Sequence, residues 1–168
     1  MFAGSESIFL PPRARGDALE ALTGALSVAV ADGRTSLAET LHKVGSRLRK
    51  RAVVVVISDL IDAGADALDA LGVLRRRGGD AIVIQVLHDD EVDFPFDGVV
   101  KFEDLEGDRE VQVDAPLVRQ AYLAELRNFL NDVENACAKN DARYALCRTH
   151  ANVVQILAAA LDDQPRRR

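Results

Sequence analysis

Two runs constrain this chain more than anything else in it: Ala52-Val53-Val54-Val55-Val56-Ile57 and Ala81-Ile82-Val83-Ile84-Gln85-Val86-Leu87. Both are rich in β-branched residues and lack the polar alternation of a half-solvated strand, so they read as strands covered by helices on both faces. Between them Leu68, Leu71 and Leu74 recur at helical spacing, and Gly78-Gly79 closes that segment. Strand, helix, strand at this separation is a right-handed crossover joining parallel neighbours. The fold class that follows is α/β, with a mostly parallel sheet between two helical layers.

The remaining elements fit around that unit. Ser7-Ile8-Phe9-Leu10 is a short strand stopped by Pro11-Pro12, which favours an edge position. Asp17 and Glu20 have capping-box spacing before the apolar face Leu19, Leu22, Leu26, Ala29, a helix that Asp32-Gly33 ends. Ser36 and Glu39 repeat the box before Leu37, Leu41, Val44 and Leu48, and Arg49-Lys50-Arg51 supplies cations where the helix dipole favours them. Phe94-Pro95-Phe96-Asp97-Gly98 is a turn, and Val99 to Phe102 with Arg109 to Val113 forms a hairpin around Glu106-Gly107-Asp108. A long helix follows Asp114-Ala115-Pro116, with Val118, Tyr122, Leu126, Phe129 and Val133 on its face, widened by Leu123, Leu130 and Cys137. Ala142 to Cys147 is a last strand and Asn152 to Leu161 a last helix. Residues 1–162 form one domain, and 163–168 a basic tail.

Composition narrows the function classes. At 168 residues the chain is long enough for a sizeable core without disulfide or metal staples. Its 27 acidic against 21 basic residues, net −6, argue against nucleic acid or an anionic membrane as the main partner. Aromatics are 5% of the residues and Trp is absent, which disfavours a base-stacking platform. No apolar run approaches the roughly 20 residues of a bilayer span. The first residues, Met1-Phe2-Ala3-Gly4-Ser5-Glu6, lack the basic start and apolar stretch of a signal peptide, so a cytoplasmic location is expected. Cys137 and Cys147, with no Cys or His partners at ligand spacing, read as reduced packing residues.

Ligands of open parallel sheets collect beyond the carboxyl ends of the strands. Two strands end there in acids, one in Asp59 and the other in Asp89-Asp90-Glu91, and Thr35 sits on a loop before a helix. Hydroxyl and carboxylate oxygens suit Mg²⁺ or Mn²⁺. The plainer alternatives are a turn or helix cap for Asp59 and a charged loop for residues 89–93. His42, His88 and His150 have no company that would make any of them a catalytic base, and read as surface or capping residues.

Taken together, Leu10-Pro11-Pro12-Arg13, Gly33-Arg34-Thr35-Ser36-Leu37, Val53 to Asp59-Leu60-Ile61-Asp62, Glu91-Val92-Asp93-Phe94-Pro95-Phe96 and Phe102-Glu103-Asp104-Leu105-Glu106 resemble the bacterial domain-of-unknown-function 58 family. The resemblance implies a von Willebrand factor A-like domain, a three-layer sandwich. It also implies a non-enzymatic interaction module working with a MoxR-type AAA+ ATPase. Such domains hold a divalent cation at a metal-ion-dependent adhesion site fed by three loops; Thr35 matches the second and Asp59 the third. The first loop, Asp-x-Ser-x-Ser, has no counterpart in these residues. What the resemblance implies is therefore a fold whose first strand and helix lie upstream of Met1, and a cation site with too few protein oxygens for tight octahedral binding. Without that first strand the run Val53 to Ile57 keeps an open edge, and self-association, as a homodimer or by segment exchange, is expected. Two other functions remain in view. One is a phosphotransfer or phosphatase-type enzyme using Asp59 as a strand-end nucleophile, against which Ile61 stands where a second carboxylate would be and no Gly-rich phosphate loop occurs. The other is a structural assembly subunit that needs neither metal nor ATPase.

Overall fold

The computed structural model describes residues 2–3, 6–7, 17–28, 36–47, 52–61, 63, 65–76, 78–104 and 109–162. In chain order these form β1 (Phe2–Ala3), β2 (Glu6–Ser7), α1 (Ala18–Val28), α2 (Leu37–Arg47), β3 (Val53–Ser58), α3 (Ala65–Arg76) and β4 (Asp80–Leu87). They continue as α4 (Asp89–Asp93), β5 (Val99–Glu103), β6 (Glu110–Asp114), α5 (Ala115–Lys139), β7 (Arg143–Arg148) and α6 (Val153–Asp162). The main sheet runs β3-β4-β7, parallel throughout, with Val55 opposite Ile82 and Ile84 opposite Ala145. Two antiparallel pairs stand beside it, β1 with β2 and β5 with β6.

The central strand shows why the chain folds in layers. Ala81 through Gln85 are five consecutive buried residues, and the pleat sends alternate ones to opposite faces. Ala81 and Val83 join Val54 and Val56 of β3 in a core closed by Leu41 of α2, by Leu68, Leu71 and Leu74 of α3, and by Val133 and Cys137 of α5. Ile82 and Ile84 point the other way, against Cys147 of β7 and Ala160 of α6. The fold is therefore mixed α/β, a parallel sheet with helices on both faces. Both cysteines are buried and unpaired, and burial pushes the Cys137 thiol up to about 11.

Local chemistry sets the element ends. Ser36 Oγ accepts the Glu39 N–H at 3.3 Å, the first half of the expected box at the start of α2. At the end of α3, Gly78 takes φ +80°, and the Gly78 and Gly79 N–H groups return to the carbonyls of Arg75 and Leu74. A Cβ on Gly79 would lie 3.0 Å from the Ala52 carbonyl oxygen, tighter than an ordinary contact, so a larger residue there would have to push the entry to β3 aside by a few tenths of an ångström. Arg75 holds the same corner, donating to the Gly79 carbonyl and to the carboxylates of Asp80 and Asp141.

Two expectations shift. The run expected at 52–57 as a central strand forms β3 at Val53–Ser58, and β3 has one described neighbour, β4. Its faces are unequal: Val54 and Val56 are buried, whereas Val53, Val55 and Ile57 are 55%, 46% and 67% exposed. An all-apolar run reports what a strand tolerates on each face, not what covers it, and α6 lies over β4 and β7. Helix α1 likewise leaves Leu19, Leu22 and Leu26 exposed. The strand expected at Ser7–Leu10 is described only at Glu6–Ser7, where Ser7 pairs with Phe2. Thr35, Asp32-Gly33, Leu48 to Arg51, the hairpin turn at Glu106 to Asp108 and the tail from residue 163 lie outside the described residues.

Candidate functional site

The carboxyl ends of β3, β4 and β7 share one edge of the sheet, where the acidic residues collect. β3 leaves the sheet through Ser58-Asp59-Leu60. Leu60 adopts φ 64°, a left-handed conformation costing a branched residue roughly 1–2 kcal/mol, yet its side chain is 1% exposed and anchored in the larger core. Short-range bonds hold the turn: Ser58 Oγ accepts the Leu60 N–H and Asp59 Oδ1 accepts the Ile61 N–H, each at 3.1 Å. The Asp59 side chain is exposed, so its carboxylate faces solvent with a backbone N–H on one oxygen.

Behind Asp59 a buried polar relay ties the three strands together. Gln85, wholly buried in β4, donates from Nε2 to the Asp59 carbonyl at 2.8 Å. Its Oε1 accepts the Tyr144 hydroxyl of β7, also at 2.8 Å. Burial is the main cause that pushes the Tyr144 phenol up to about 12, so the hydroxyl keeps its proton and remains a donor. A buried amide satisfied at both ends fixes geometry more strictly than apolar packing, because losing either partner strands a polar group.

The acids after β4 behave differently. His88 caps α4: its Nδ1 accepts the Asp90 N–H at 3.1 Å while Glu91 Oε2 accepts the His88 N–H at 2.6 Å, a reciprocal capping box. Arg148, at the end of β7, pairs with both Asp89 and Asp93, and His150 Nδ1 bonds the second Asp89 oxygen. The His150 hydrogen bond foremost, then Arg148, holds the Asp89 carboxyl below the usual carboxylate range. Asp89 is thus a fastener between α4 and the end of β7.

Beyond α4 the chain folds an aromatic pocket. Phe94 sits at φ 45° and is 5% exposed. Its ring tilts against Tyr122 at 4.6 Å between centroids and meets Phe96 edge-on at 5.1 Å; Phe96 in turn meets Phe102 edge-on at 5.2 Å. Arg119 of α5 donates to the Phe94 and Phe96 carbonyls, and the Tyr122 hydroxyl donates to the Glu91 carbonyl at 2.9 Å. These rings line a cavity of about 600 Å³ whose polar lining is His88 and Asp90, both exposed, and Glu91, half-buried.

Of the expected site residues, Asp59 lies at the sheet edge as its position implied, and Thr35 falls outside the described residues. Among the described residues no three His, Cys, Asp or Glu side chains gather as a metal would require. Asp59 supplies one carboxylate, so the described donor set does not by itself fit a divalent cation. The sequence alone does not reveal the Gln85–Tyr144 relay or the pocket, whereas the His88 cap agrees with the reading of that residue as a surface or capping histidine. One signal for the pocket was present: four of the eight Phe and Tyr residues, Phe94, Phe96, Phe102 and Tyr122, fall within one short stretch.

What the fold and the sheet edge define is an α/β domain presenting acids beyond parallel strands. The family model described as "Protein of unknown function DUF58" matches residues 1–129, and the chain belongs to that family. It is similar in structure to the crystal structure of the conserved hypothetical protein BatB from Bacteroides thetaiotaomicron, at 14% identity and a TM-score of 0.49. That similarity covers 86% of this chain but 66% of BatB, just under two thirds of the longer protein. No curated protein matches the chain.

Proposed function

We propose that this chain is a non-enzymatic protein-interaction domain of von Willebrand factor A-like build, docking on a MoxR-type AAA+ ATPase through the carboxyl edge of its sheet. The observation that carries the reading is Asp59. An exposed carboxylate on a turn braced from behind by Gln85 and Tyr144 is a fixed charge offered outward. A rigid acid at a strand end suits direct recognition of a partner cation. The phosphotransfer alternative has less support, since Ile61 stands two residues past Asp59 where a second acid would be wanted.

Self-association is part of the same reading. Among the described residues the outer edge of β3 has no strand beside it, and Val53, Val55 and Ile57 form an exposed apolar row on the same strand. A strand edge is complementary to its own copy about a two-fold axis, so a second copy of this chain can extend the sheet antiparallel through β3.

The experiment is size-exclusion chromatography of the full chain mixed with a purified MoxR-type ATPase, paired with incubation of the chain in acetyl phosphate. The expected result is co-elution with the ATPase and no phosphorylated Asp59 by mass spectrometry. Separate elution together with phosphorylation at Asp59 would reverse the assignment.

A further inference from the structure

We propose that the aromatic cavity between α4, the β5–β6 hairpin and α5 is a docking pocket for a basic partner segment, which inserts one apolar side chain flanked by Lys or Arg. This site is separate from Asp59 and does not depend on the ATPase reading.

Three observations carry it. The cavity, at about 600 Å³, falls within the range of pockets that enclose a ligand group. Its walls are pre-organised: Phe96 meets Phe94 and Phe102 edge to face, Tyr122 tilts against Phe94, and Arg119 pins the backbone of the turn by two carbonyls. Little ordering is left for binding to pay, which favours a site over a collapsed cluster.

The third observation is charge. Asp89 and Asp93 are matched by Arg148, but Asp90 at the rim is not matched in the same way. Its carboxylate lies 3.5 Å from His88 Nδ1, a nitrogen already accepting the Asp90 N–H and therefore without a proton to share. Glu91 adds a second carboxylate at the mouth, held there by the His88 N–H. Aromatic faces and a carboxylate rim both attract cations, so the mouth selects positive charge while the floor selects an apolar group. The rim side chains of His88 and Asp90 are about half exposed, at 48% and 51%. The polar side of the cavity is thus open to solvent.

The test is a chemical-shift titration of the isotope-labelled full chain with four probes. These are a blocked pentapeptide Gly-Lys-Phe-Lys-Gly, its Glu-Phe-Glu counterpart, its Lys-Ala-Lys counterpart, and phenethylammonium. The Lys-Phe-Lys peptide should shift the Phe94, Phe96, Phe102 and Tyr122 signals and bind at least about fivefold tighter than any other probe, the ratio expected of one well-placed rim charge or one inserted ring. Asp90→Asn should reduce the preference over Glu-Phe-Glu by at least about threefold and leave the capping N–H in place, Glu91 retaining the remainder. Val118→Trp, which fills the cavity from α5, should abolish the shifts. Equal binding of the Lys-Ala-Lys peptide would reduce the effect to net charge, and equal binding of Glu-Phe-Glu would remove the charge argument. Phenethylammonium binding as tightly as the peptide would make the occupant a small cation, and silence from all four probes would overturn the pocket altogether.

Discussion

Replacing Gln85 with leucine is expected to destabilise the chain by about 1–3 kcal/mol, because it takes the partner from two part-buried polar groups, each of which would cost roughly 1–3 kcal/mol if it were fully buried. The groups are the Asp59 carbonyl and the Tyr144 hydroxyl, both bonded to the Gln85 amide at 2.8 Å. Leucine fits the volume, so the loss measures the relay and not a cavity. The relay also predicts non-additivity. Tyr144→Phe removes the hydroxyl that Gln85→Leu strands, so the double variant should recover about 1 kcal/mol or more relative to the sum of the singles. Urea unfolding of the four proteins with a common slope is the check. A Gln85→Leu variant within about 0.5 kcal/mol of the parent, the range of an ordinary surface change, would mean that the relay does not hold the sheet edge.

The second large effect concerns β3. Val55→Lys should weaken the proposed self-association through β3 by at least about tenfold while leaving the folding of the chain nearly unchanged. Val55 lies in the middle of the exposed row and is 46% exposed, so lysine there is tolerated in the free chain. In an assembly built through β3 it would forfeit apolar burial and place an ammonium among Val53, Ile57 and the same residues of the second copy. Losing part of the roughly 1.5–3 kcal/mol of a buried valine and desolvating a charge corresponds to at least about a tenfold weaker dissociation constant. Sedimentation velocity over a concentration series reads this directly. A parent chain that stays monomeric at every concentration would remove the β3 interface from the account.

These two positions also show what could be read before any coordinates. The parallel sheet was legible because its evidence is local: β-branched runs at 53–57 and 81–87, with Leu68, Leu71 and Leu74 at helical spacing between them, all three of which are buried. Cys137 and Val133 on one face of the long helix were legible for the same reason. Gln85 shows in the sequence only as the one polar residue of the apolar run 81–87. Its partners lie 26 and 59 residues away, beyond the reach of any spacing rule. The covering of β3 was misjudged because chemistry identical on both faces carries no signal of which face has a neighbour. The acids after β4 looked equivalent in sequence. Arg148 and His150, about 60 residues later, separate Asp89 from Asp90 and make one a fastener and the other a rim charge. The position of Asp59 just past β3 follows from where strand ends lie in a parallel sheet, whereas the bracing of its turn depends on those distant partners.

The central claim is that Asp59 is a recognition group on a braced edge. Its most direct test is the affinity of the full chain for an immobilised MoxR-type ATPase, measured by biolayer interferometry for the parent and for Asp59→Asn. Asparagine keeps the side-chain oxygen that accepts the Ile61 N–H, so the turn should persist and only the charge be lost. The account predicts a loss of affinity of at least about tenfold, the scale on which removing one member of an interfacial charge pair acts, with an unchanged melting temperature. Equal affinities for the two proteins, or no measurable binding by the parent, would contradict it.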